Sequence, residues 1–142
     1  MAKNTILCGL VFLAALLLLP VQAVDAEREI VRAEAKHLVK IWLASQGYDT
    51  RSWRFVLDAD PDQNEFPSFY FFSANFVQEQ SAPTLGHFAV NRRSADLWDW
   101  ELCRRIQEPA IQSTQKSLRK KLRLTDRDYR SLSKIAPCSG PM

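Results

Sequence analysis

The sequence predicts an α+β fold, with an N-terminal helix, an antiparallel β-meander of three to four strands, C-terminal helices and one disulfide. Three observations predict it. Apolar residues recur at helical spacing over 27–46. Between 53 and 100 they switch to period two and become aromatic and β-branched. From Leu102 onward the helical pattern returns.

The elements follow in chain order. Residues 1–26 carry one positive charge at Lys3, an apolar stretch over 6–19, then Pro20 and the small-residue exits Val21-Gln22-Ala23 and Val24-Asp25-Ala26. This is the layout of a cleavable signal peptide, with cleavage after Ala23 or Ala26. A membrane anchor is the competing reading, but the stretch falls short of the roughly 20 residues a spanning helix needs. Cys8 lies inside the stretch and leaves with the peptide. Residues 27–142 then form a single domain, of a length that buries a real core, and its expected location is the periplasm or the exterior.

In the first helix, over 27–46, Val31, Ala35, Leu38, Ile41 and Trp42 make the apolar stripe, and Gly47 is a natural stop. Trp53, Phe55 and Leu57 alternate with Arg54, Val56 and Asp58 in a first strand. The segment 69–77 is apolar on both faces, as a central strand covered on both sides would be, which places Phe71 and Phe72 on opposite covered faces. Phe88-Ala89-Val90, the polar Asn91-Arg92-Arg93-Ser94 and Asp96-Leu97-Trp98-Asp99-Trp100 read as a hairpin. Pro109 suits the first turn of a helix because it has no N–H to donate. On that helix Ile111, Leu118 and Leu122 are expected to face the sheet, with Lys116, Arg119, Lys120, Lys121 and Arg123 in solvent. Thr125 followed by Asp128 resembles a capping box for a last short helix carrying Tyr129, Leu132 and Ile135.

Once the signal peptide is removed, only Cys103 and Cys138 remain. An even count in an exported chain argues for a disulfide over two buried thiols. The formal charge of +3 conceals an asymmetry. Residues 27–103 hold 8 basic and 12 acidic side chains, whereas 104–142 hold 10 basic and 3 acidic ones. Such a split points to an acidic partner or an anionic surface near the C-terminal segment.

No stretch spells out a catalytic, metal or cofactor motif, so no catalytic residue, metal or cofactor is assigned. His37 and His87 stand in no spacing that suits a metal or a nucleophile, and a base needs a partner within hydrogen-bond reach. A small hydrolase using His87 with Asp96 or Asp99 is a minor alternative. The acidic string at 58–65 imitates the opening of a calcium loop. It holds Gln63 and Phe69 where an EF-hand needs glycine and glutamate, and a solvated acidic turn is the plainer reading.

Two patches read as recognition surfaces. One is Trp98 and Trp100 with Arg92 and Arg93, residue types enriched at binding hot spots; the alternative is that the indoles cap an edge of the sheet. The other is the basic helix with Lys116, Arg119, Lys120, Lys121 and Arg123, suited to an anionic envelope polymer or lipid headgroups, or else simply a solvated face. Nucleic acid is disfavoured by export and by the lack of an aromatic residue among these charges.

The segment from Phe88 to Trp98 resembles the hairpin of PepSY-type domains. In those a strand ends in Val-Asp or Val-Asn, two residues and Thr-Gly make the turn, and an acidic residue opens the next strand. Ser94-Ala95 stands here in place of Thr-Gly. In size and layout the whole chain resembles small bacterial periplasmic immunity and inhibitor proteins. That resemblance implies a protein that binds and blocks an envelope-acting enzyme and has no catalysis of its own. The rival reading is an envelope accessory protein docked on an anionic polymer or membrane through its basic helices. The oligomeric state is left open by the sequence.

Overall fold

A computed structural model describes residues 28–59 and 66–138. The signal peptide expected over 1–26 lies outside the described residues, as does most of the acidic string at 58–65.

Helix α1 spans Arg32–Ser45, starting later than the pattern predicts. The Ile30 N–H donates to the Arg92 carbonyl at 2.8 Å, which holds the preceding chain extended against the hairpin. Val31, expected on the apolar stripe, is instead the exposed N-cap residue, and its N–H donates to the Glu34 carboxylate. The stripe that is buried consists of Ala35, Leu38, Val39 and Leu43. Gly47 ends the helix at φ 93°, a conformation glycine adopts at little cost.

Five antiparallel strands follow in sequence order across one sheet: β1 (Phe55–Ala59), β2 (Phe69–Phe76), β3 (Thr84–Asn91), β4 (Leu97–Asp99) and β5 (Arg104–Ile106). Trp53 precedes β1 and is 81% exposed, with the Arg54 guanidinium over its ring. β2 is an interior strand but not the middle of the sheet that its two apolar faces suggest; β3 is the middle of the five. A strand apolar on both faces reports cover above and below, not its rank across the sheet. The cover is real on each side: Phe72 lies in the main core with α1 and α2, while Phe71 packs with Phe69, Ala89 and Trp98 on the other face.

Strand β5 corrects the reading of everything beyond Leu102 as helical. Three residues are too few to reveal a period, and two of them are arginines. They are nonetheless fixed by the ladder, with Leu97 opposite Ile106 and Trp98 opposite Arg105. Pro109 then opens α2 (Pro109–Lys121), which packs beside α1 over the main core through Ile111 and Leu118. Thr125 caps α3 (Asp126–Leu132) by accepting from the Asp128 N–H. Cys103 and Cys138 are joined with their Cα atoms 5.8 Å apart. The bridge ties the β4–β5 turn to the chain beyond α3. Among the described residues no helix is long and apolar enough to cross a membrane.

Candidate functional site

The β3–β4 turn organises the polar centre of the molecule. Asn91 ends β3, and its side-chain oxygen accepts from the N–H groups of Arg93 and Ser94, both at 2.9 Å. Its carbonyl accepts from Ala95 N–H. Ala95 consequently sits at φ 57°, in the left-handed region. Glycine would adopt that conformation freely, whereas alanine adopts it at a cost of about 1–2 kcal/mol.

The turn delivers Asp96 to a buried position, 2% exposed. Four groups meet its carboxylate. Arg119 of α2 donates to Oδ1 at 2.8 Å, and the Tyr129 hydroxyl of α3 donates to the same oxygen at 3.1 Å. Ser94 Oγ donates to Oδ2 at 2.9 Å, and Arg105 of β5 stands 3.8 Å from it. Arg119 also donates through Nε to the Ser94 carbonyl, and its guanidinium lies 3.9 Å from the Tyr129 ring centre. One carboxylate thereby fastens α2, α3 and β5 to a single turn. Burial, reinforced by the Asp96 charge, pushes the Tyr129 hydroxyl above its ordinary pKa against the opposing influence of Arg119.

Beside this cluster a cleft of about 350 Å³ is lined by Asp96, Ile106, Gln107, Gln112, Gln115, Lys116, Arg119 and Tyr129. The Asp96 oxygens are already engaged, so the groups left to meet a ligand are mostly donors. The Lys116 ammonium has no ion-pair partner among the described residues. The Gln107 amide, turned so that its oxygen faces Arg105, accepts two bonds from that guanidinium and keeps its nitrogen as a donor. Gln112 donates to the Gln107 carbonyl, leaving its own oxygen as an acceptor. Gln115 donates through Nε2 to the Ala95 carbonyl at 3.0 Å. The cleft is a cationic recess able to hold an anion together with an amide group.

The residues singled out from the sequence scatter. Arg92 is a brace: it pairs with Glu29, donates to the Pro67 carbonyl and covers the Tyr70 ring. Arg93 is half-buried beside the turn. Trp98 is 9% exposed and packs with Phe69, Phe71 and Ala89; its indole N–H has no acceptor among the described residues. Trp100 is 36% exposed and leans on Phe71 and His87, with Leu102, 65% exposed, in the same β4–β5 turn. On α2, Lys116 and Lys120 are exposed and Lys121 pairs with Glu34 of α1; Arg123, also exposed, lies just beyond the helix at φ 55°. Arg119, expected in solvent, is turned inward by Asp96. Sequence reasoning missed Asp96, Gln112 and Tyr129 as a group because they come together only through the packing of α2 and α3 on the hairpin.

Among the described residues His87 pairs with neither Asp96 nor Asp99. It lies 3.0 Å from Ser73 Oγ and 3.7 Å from a Glu101 carboxylate oxygen on the other sheet face. His37 is exposed on α1.

No family model and no curated protein matches this chain. The fold is similar to that of a chain in the structure of a type VI secretion system effector–immunity complex from Pseudomonas protegens. The match has a TM-score of 0.61 at 18% identity, and covers 76% of this chain and 89% of the other. At that identity the likeness establishes a shared fold.

Proposed function

We propose that this chain is an exported protein that binds another protein and blocks it, as an immunity factor or inhibitor of an envelope-acting effector. The observation that carries the proposal is the fold match to a chain of an effector–immunity complex, which spans nearly the whole of that chain. Two surface features support protein binding. Trp100 and Leu102 present apolar area at one turn, and the α2–α3 corner presents an unneutralised cationic recess. The signal-peptide pattern at the N-terminus supports action beyond the cytoplasm. A second reading, docking on an anionic envelope polymer, draws on the exposed Lys116, Lys120 and Arg123, which have no ion pair among the described residues.

A contact-competition assay tests the proposal. A strain lacking this chain is expected to be outcompeted by its own parent in cell contact, and to survive when the parent's secretion apparatus is disabled. Restoring the full chain should restore survival, whereas a version lacking residues 1–26 should not. Equal survival of the deletion strain against the active parent would refute the immunity reading.

A further inference from the structure

We infer that the α2–α3 cleft is the recognition site for an acidic segment of the protein partner, a carboxylate side chain entering between Lys116 and Arg119 while a neighbouring peptide group meets Gln112. The inference rests on the protein-binding reading above and adds to it the chemistry of the partner.

The charge balance carries the first half. Asp96 contributes one negative charge to the recess, and Lys116, Arg119 and the adjacent Arg105 contribute three positive ones. Arg119 uses Nε and Nη2 internally, which leaves Nη1 to receive an anion. Lys116 is exposed and has no internal acid among the described residues. Its alternative to a ligand is water.

The choice of a carboxylate on a peptide over a phosphate follows from the rest of the wall. A phosphate presents acceptors only. The Gln107 nitrogen and the Gln112 oxygen offer one donor and one acceptor, the complement of a peptide group. Ile106 supplies an apolar floor. Stacking of a nucleobase on Tyr129 is hindered because Arg119 lies over that ring. A recess of about 350 Å³ also has the size of a small-ligand or side-chain pocket, not of an extended polymer groove.

The test uses the oxidised mature chain and three anionic probes: poly-L-glutamate of about 15 residues, polyphosphate of equal charge, and phosphatidylglycerol vesicles. Polyglutamate is expected to shift the side-chain amide resonances of Gln107 and Gln112 saturably. Lys116→Glu should weaken that binding about tenfold or more with the melting temperature unchanged. Gln112→Ala, a second exposed position, should weaken it without altering its salt dependence. Absence of shifts at these amides, or undiminished binding by both variants, would overturn the inference. Tighter binding of polyphosphate or vesicles than of polyglutamate would overturn it too, in favour of anionic-polymer docking. The competition assay above is independent: protection without polyglutamate binding sinks the cleft alone, and binding without protection sinks the immunity reading alone.

Discussion

Breaking the Asp96–Arg119 pair from its two sides should give unequal losses, because the two partners are buried to different depths. The Asp96 side chain is 3% exposed and that of Arg119 24%. Arg119→Met keeps the aliphatic stem but leaves a near-fully buried carboxylate with Tyr129, Ser94 and a more distant Arg105. Removing one partner of a buried pair costs about 3–5 kcal/mol, and this case sits near the lower end because those three groups remain. Asp96→Asn keeps the shape and strands a guanidinium that reaches water, so the penalty is smaller, about 2 kcal/mol, mostly the lost charge-assisted bond. Combining the two changes should cost less than their sum by about 1–3 kcal/mol, as expected of residues in one network. Urea denaturation of the oxidised protein, followed by tryptophan fluorescence and circular dichroism together, measures all three values. Additive effects within about 0.5 kcal/mol would refute the picture of one carboxylate fastening three elements, and a larger loss for Asp96→Asn than for Arg119→Met would refute the ranking by burial depth.

Phe72→Ala should cost about 3–5 kcal/mol because Phe72 is almost fully enclosed in the main core; a loss below about 1 kcal/mol in urea melts would contradict the interior position of β2. Opening the Cys103–Cys138 bridge should lower stability by about 3–4 kcal/mol on loop-entropy grounds, read as a shift in denaturation midpoint with and without reductant. The raised pKa of Tyr129 means that its contribution is complete below the unfolded value near pH 10 and fades as pH climbs through the folded one. Tyr129→Phe should therefore flatten the alkaline limb of the stability profile. Ala95→Gly should be close to neutral, since relief at φ 57° offsets the lost buried methyl; a loss above about 1.5 kcal/mol by calorimetry would show that the methyl dominates.

The α+β class, the first helix, β2, the hairpin and the disulfide were legible because each has a strong local signature: a period, a doubly apolar run, a polar turn or a cysteine count. The limits are equally physical. α1 begins at Arg32 and not at residue 27 because a long-range bond from Ile30 to Arg92 claims the segment before it, and no local pattern encodes that. β5 was invisible because three residues hold too little periodicity, and its place is set by pairing with β4. Arg119 fell on the solvent side of a helical wheel, yet a buried acid 23 residues away pulls it in. Trp98 shows the reverse case: its residue type suggested a surface anchor, while alternation with Leu97 along β4 sends the indole into the second core.

The β3–β4 turn explains why the cleft exists where it does. Asn91 folds the turn, Ser94 and Asp96 close on each other across it, and the buried acid is met by Arg105 of β5 and, more closely, by Arg119 of α2. Once α2 supplies Arg119 for that purpose, the positions one turn earlier, Gln115 and Lys116, and two turns earlier, Gln112, are placed beside the same recess by the helical repeat. The rotation of α2 that buries Ile111 and Leu118 and turns Arg119 to Asp96 also places Lys116 beside the cleft, with no acid partner among the described residues. A site for an external carboxylate follows from the same geometry that satisfies the internal one. Loss of the Asp96 anchor should therefore damage recognition as well as stability, whereas Lys116→Glu should damage recognition alone.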